Sequence, residues 1–104
     1  MDSTKQELVI CIVNSGFSTD VIHAARKAGC KGGTVIHANG TANPESEQFF
    51  GILIEPKKEM VLMVVPAEIR NAVLSKVNDA VGMDTNGKGI AFALPVEKAV
   101  GITL

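Results

Sequence analysis

Two stretches of six consecutive apolar residues, Leu8-Val9-Ile10-Cys11-Ile12-Val13 and Met60-Val61-Leu62-Met63-Val64-Val65, set the frame of this chain. Each is too short for a helix, rich in β-branched residues and bounded by polar or turn residues, so each reads as a strand of the core. The first is closed by Asn14-Ser15-Gly16, and the second is opened by Glu59 after the turn signal Glu55-Pro56-Lys57-Lys58. Between them, Ser18 or Thr19 is positioned to cap a helix with Asp20 in its first turn. Val21, Ala24, Ala25 and Ala28 recur at helical spacing on its inner face, and Gly29 ends it.

Lys31-Gly32-Gly33 leads into a strand over Thr34–Ala38, and the polar stretch Asn39–Gln48 is a loop. Phe49–Ile54 reads as a returning strand. After the second apolar run, Pro66 suits the first turn of a helix that continues from Ala67 to Val81. Ile69, Val73, Leu74, Val77 and Ala80 fall on one of its faces, opposite Arg70, Lys76 and Asp79. Gly82 stops that helix, a glycine-bearing turn covers Met83–Gly89, and Ile90–Leu94 forms the last strand.

The resulting order, β-α-β-β-α-β, predicts an α+β fold: a ferredoxin-like sandwich in which an antiparallel sheet carries two helices on one face. The whole chain, 1–104, is expected to be a single domain. One conflict follows from the pattern itself. A sheet covered on one face alternates apolar and polar residues, yet both central runs are apolar throughout, so the second face must also be kept from water. Two covers are available: further copies of the same chain, or the tail Pro95–Leu104 folded back.

Composition then narrows the function classes. Ten Lys and Arg face eleven Asp and Glu, and four Phe are the only aromatic residues, so no basic, stacking nucleic-acid surface is expected. The start of the chain is polar to Glu7, no run approaches the ~20 apolar residues of a membrane span, and a cytoplasmic protein without membrane insertion is expected. Cys11 and Cys30 fit no Cys-x-x-Cys spacing and read as reduced thiols. No nucleophile dyad or paired carboxylates stand in a motif, so no catalytic residue is assigned and the chain is not read as an enzyme.

The chemically suggestive segment is Gly87-Lys88-Gly89 before the last strand, where backbone N–H groups and one cation can face an anion. The alternative is that both glycines serve only a tight turn. His37, at the end of a strand, and His23, on the outer face of the first helix, read as surface residues or as isolated metal ligands. Glu45, Glu47 and Glu55 make the loop region acidic, as a solvated loop or a cation site.

Gly87-Lys88-Gly89-Ile90-Ala91-Phe92-Ala93 resembles the Gly-Asp-Gly-Lys-Ile-Phe-Val turn and strand of the PII signal-transduction family, nitrogen regulatory protein P-II. Gly29-Cys30-Lys31-Gly32-Gly33-Thr34-Val35 is similar to that family's Gly-x-x-Gly-Met-Thr-Val. Gly40 falls on the glycine that opens its T-loop, and Met60–Pro66 on its Ile-Glu-Ile-Val-Val-Pro strand end. The resemblance implies a homotrimer with nucleotide sites between subunits and T-loops that grip a target. Carried over, it places Ile12, Thr34, Gly40 and Val64 along a cleft wall, with Lys58, Gly87, Lys88 and Gly89 toward a phosphate. It makes Asn39, Thr41, Asn43, Glu45 and Glu47 the partner-binding loop. No cofactor is required; the implied effector is ADP, AMP or ATP, and the implied target a transporter or metabolic enzyme.

The departures from the family pattern are specific. The segment from Gly40 to Pro56 is short, and the absence of tyrosine excludes uridylylation of a loop tyrosine. Lys88 stands at the family's acidic position, Ile90 at its lysine, and Gly101 and Thr103 at its tail arginines. Charge-assisted hydrogen bonds contribute about 1.5–3 kcal/mol each, so lost cations favour a ligand of lower charge than ATP. A trimeric metal-binding protein resembling the CutA group, or a ligand-free adaptor, is the alternative reading.

Overall fold

A computed structural model describes residues 5–41, 48–49, 52–53 and 56–102, with backbone only for 48, 49, 52 and 53. The two apolar runs lie inside strands β1 (Gln6–Asn14) and β5 (Lys57–Pro66), joined antiparallel in register from Gln6↔Pro66 to Asn14↔Lys58. Around them are α1 (Ser18–Lys27), β2 (Thr34–Asn39), β3 (Gln48–Phe49), β4 (Ile52–Leu53), a 3₁₀ turn (Ala67–Ile69), α2 (Arg70–Val81) and β6 (Ile90–Val96). The main sheet is antiparallel throughout, in the order β2-β5-β1-β6. This is the α+β, ferredoxin-like βαββαβ architecture.

The period of two splits each apolar run into two faces. Val9, Cys11 and Val13 of β1, with Val61, Met63 and Val65 of β5, are almost fully buried. They pack with Val21, Ala24 and Ala25 of α1 and Val73, Val77 and Val81 of α2 in one core, so both helices cover the same side. The alternate residues, Leu8, Ile10, Ile12, Met60, Leu62 and Val64, are only half-buried. They continue outward into Ile36, Ile90, Phe92 and Leu94, which are 43–51% exposed. The second face is therefore apolar and open in a single chain. Among the described residues the tail does not lie over it: residues 97–102 are exposed, Val100 at 88%.

Several local expectations are corrected. The strand expected over Phe49–Ile54 does not join the main sheet at its described residues: β3 and β4 pair with each other instead, Gln48↔Leu53 and Phe49↔Ile52. Lys57 and Lys58 belong to β5 rather than to a turn, since each is paired with β2. Pro66 ends β5 with ψ of 140°, and the helix reaches α geometry only at Arg70 after the 3₁₀ turn. Ala80 is exposed and Val81 takes the buried place on α2.

The start of α1 also differs. Ser18 is its first helical residue, and no side chain at the N-cap position, Phe17, bonds to the helix. The cap comes instead from β5: Glu59 Oε1 accepts hydrogen bonds from the backbone N–H groups of Gly16 and Ser18, both at 3.0 Å. The other end of α1 follows expectation. Gly29, at φ 107°, donates to Arg26, and Cys30 donates to Ala25, which is the Schellman pattern a left-handed residue permits.

Candidate functional site

Alternating strand directions bring the end of β1, the exit of β2, the entry of β5 and the start of β6 to the same edge of the sheet. The glycine turn sits at that edge. Gly89 N–H donates to Val81 O at 2.6 Å, Gly82 and Gly89 form a parallel bridge, and Thr85 Oγ1 donates to Gly82 O at 2.8 Å. A Cβ on Gly89 would collide with the Val81 carbonyl oxygen, and one on Gly87 would stand 3.0 Å from Val81 Cβ. The glycines thus let the turn close onto the end of α2.

The amides of the turn are already engaged: Gly87 N–H donates to Thr85 Oγ1 at 3.2 Å and Lys88 N–H to Thr85 O at 3.1 Å. In this conformation its positive charge lies in the side chain of Lys88. That residue is exposed, sits at φ 47°, and donates through Nζ to Met83 O at 3.3 Å.

The second cation is Lys58. Its Nζ donates to Asn14 Oδ1 at 2.7 Å, and Asn14 in turn reaches the turn twice, Nδ2 to Asn86 O at 3.0 Å and backbone N–H to Gly87 O at 2.8 Å. Gly40 lies beside this lysine: a Cβ there would stand 3.1 Å from Lys58 Cε. Gly40 N–H also donates to Pro56 O at 2.7 Å, which closes the root of the loop between them. Next to it, Ser15, His37, Asn39, Lys57 and Lys58, with Ala38, line a cleft of about 160 Å³.

Glu59 backs this region. It is 7% exposed, and the Ser18 backbone N–H holds its carboxyl below the ordinary carboxylate value, helped by Gly16 and by the nearby His37. His37 Nδ1 lies 3.7 Å from Glu59 Oε2, with the imidazole 81% exposed.

The structure gathers Lys58, Gly40, Gly87, Lys88 and Gly89 at this edge, with Ile12 close by as the partner of Ile90 on the open face. It does not bring Thr34 and Val64 to them within one chain. Thr34 sits opposite Leu62, and Val64 opposite Leu8, six residues and about 20 Å along β5 from Lys58. Asn39 closes β2 and Thr41 is exposed, whereas Asn43, Glu45, Glu47, Glu55 and Thr103 lie outside the described residues. His23 is exposed beside a groove of about 240 Å³ along α1. Among the described residues no three His, Cys, Asp or Glu side chains stand together as a metal site.

Two residues of this region escaped the sequence reading. Asn14 looked like a turn former, and nothing local marked it as a bridge. Glu59 did carry a signal, because the period of two places it on the same face as Val61 and Met63, where a carboxylate needs a partner.

The two thiols are unpaired with each other. Cys11 is buried, and burial pushes its thiol up to about 11, while Cys30 Sγ donates to Gly32 O at 3.3 Å. Among the described residues no helix is long and apolar enough to cross a membrane.

Comparison with known proteins shows that the fold recurs elsewhere. Among solved structures, a Bacillus cereus protein related to NIF3 superposes with a TM-score of 0.71 at 15% identity over 94% of this chain. The chain spans only 27% of that larger protein. A Thermus thermophilus protein described as PII-like and signalling gives 0.67 at 18% identity, covering 92% of this chain and 90% of its own. Arabidopsis thaliana PII, solved with bound citrate, gives 0.63 at 23% identity, covering 90% and 77%. These likenesses establish a shared fold. No curated protein matches the chain. The family model of nitrogen regulatory protein P-II matches residues 6–104, nearly the full length, and the chain therefore belongs to the P-II family.

Proposed function

We propose that this chain is a noncatalytic regulator that senses a small anionic effector, an adenine nucleotide of low charge such as ADP or AMP, and signals to a partner protein through its 39–48 loop. The observation that carries this reading is the joining of Lys58, Asn14 and the Lys88 turn at the root of that loop. Two cations stand beside the Gly40–Pro56 backbone bond, which closes the segment that carries this loop, so an anion drawn to them acts on the hinge of the loop. ATP is disfavoured by Ile90, which removes a cation where the family pattern has one.

The assembly follows from the open face. A stripe of Ile36, Ile10, Leu62, Phe92 and Leu94 is too apolar to stand in water, and packing copies of the chain sheet to sheet covers it. The inter-subunit cleft that the family resemblance implies would draw Thr34 and Val64 from one copy and the Lys58 edge from the next.

Calorimetry of the purified protein with AMP, ADP and ATP tests the reading. Saturable binding is expected, weakened at least fivefold by Lys58→Ala and by Lys88→Ala. Absence of heat with all three nucleotides, or affinity unchanged in both variants, would sink it. Light scattering on the same samples is expected to give three times the 10.9 kDa chain mass.

A further inference from the structure

Asn14 commits its side-chain amide and its backbone N–H to three partners far away in the sequence. Its Oδ1 accepts from Lys58 Nζ, its Nδ2 donates to Asn86 O and its backbone N–H donates to Gly87 O, at 2.7, 3.0 and 2.8 Å. Lys58 lies against Gly40 and so belongs to the root of the 40–56 loop, while Asn86 and Gly87 belong to the glycine turn. The next residue repeats the pattern, with Ser15 N–H donating to Lys57 O at 3.1 Å. Among the described residues, Asn14 is the side chain that bonds to both the lysine of the loop root and the turn.

An amide suits this place for a chemical reason. It offers an acceptor to a cation and donors to carbonyl oxygens at the same time. Aspartate would keep the lysine and repel the Asn86 carbonyl; serine is too short to span both. The turn, for its part, has little freedom to absorb a displacement elsewhere. Gly89 is fastened to Val81 O, and Lys88 is held at a positive φ that few other arrangements permit.

We infer that Asn14 is a positioning residue that couples the glycine turn to the root of the 40–56 loop, so that a shift of Lys58 is transmitted to Asn86–Gly89 and the reverse. This deepens the effector reading, since it supplies the connection between a ligand at the turn and the loop, but the coupling is a property of the chain itself and is measured without any ligand. The two therefore fail separately: a protein that binds no nucleotide can still show the coupling, and one that binds nucleotide can lack it.

The test is a double-mutant cycle read by ¹⁵N-edited NMR. Lys58→Met, which keeps the aliphatic stem and removes the ammonium, is expected to move the amide resonances of Gly87, Lys88 and Gly89. In an Asn14→Ala background the same Lys58→Met substitution is expected to move them by less than a third as much. A merely structural Asn14 would shift resonances on its own substitution without changing the response to Lys58→Met. Equal displacements in both backgrounds, or no displacement with Asn14 present, would overturn the proposal. Should Asn14→Ala not fold, Asn14→Asp serves in its place. It retains the acceptor for Lys58 and severs the donor to Asn86 O, so the response at the turn is again expected to fall.

Discussion

Replacing Glu59 with alanine should destabilise this protein more than any other single polar-to-alanine change among its described residues. Glu59 is a carboxylate on the buried face of β5, and its Oε1 receives two backbone N–H groups, Gly16 and Ser18, at the start of α1. The residue at the N-cap position offers no side-chain bond of its own. Loss of an N-cap costs about 0.5–2 kcal/mol, and a buried donor left without a partner costs about 1–3 kcal/mol. Two donors at one partly buried site, some of whose loss water recovers, give an expected penalty of about 2–3 kcal/mol. For a chain of this length that lowers Tm by roughly 10–20 °C. Glu59→Gln keeps an acceptor oxygen and loses the charge, so it should cost about 1 kcal/mol.

The pH dependence separates this cause from a loss of packing. The folded-state carboxyl lies below its ordinary value, chiefly because of the Ser18 N–H. A carboxyl so shifted contributes stability that is present above its unfolded value, about 4.3, and disappears as pH falls through the lower folded value. The gap between wild type and Glu59→Gln should therefore be full at pH 7 and narrow below about pH 4. Thermal unfolding by circular dichroism at fixed protein concentration, across that range, is the assay. A Glu59→Ala protein that melts with wild type at pH 7, or a Glu59→Gln deficit that stays constant into acid, would refute the capping argument.

Four further outcomes are expected. Phe92→Glu, on the open sheet face where Phe92 is 43% exposed, should lower the assembled mass seen by light scattering, and a mass equal to wild type would show that this face is not the interface. In urea unfolding, Lys88→Gly should be no less stable than wild type, because the left-handed conformation costs a non-glycine residue about 1–2 kcal/mol. Gly89→Ala should lose about 1–3 kcal/mol to the Val81 carbonyl, and the reverse order would contradict the geometry of the turn. Cys11, buried and with its thiol raised to about 11, should resist alkylation at pH 8 until denaturant is added. Labelling of the native protein at Cys11, located by mass spectrometry, would contradict its burial.

The pattern of apolar positions was enough to specify the four strands of the main sheet and both helices, their order along the chain, and the apolar character of both sheet faces. These are local or periodic properties. A six-residue apolar run belongs in a strand whatever surrounds it, and Val21, Ala24 and Ala25 share a helix face by spacing alone. The glycine turn was also legible, because its glycines mark a close approach of backbone. What the turn approaches was not: the Val81 carbonyl fills the space that sequence could assign equally to a phosphate.

The side-chain chemistry at the loop root was decided by the tertiary structure alone. Glu59 reaches Ser18 across forty-one positions, Lys58 reaches Asn14 across forty-four, and Asn14 reaches Asn86 across seventy-two. Such partners meet because β1, β5 and β6 run antiparallel in one particular register, and a slip of one residue would send every one of these side chains to the other face. The sequence determined which segments form strands and that both faces of the sheet are apolar. The register and strand order, which no local pattern encodes, determined that a carboxylate caps α1 and that an asparagine joins the loop to the turn.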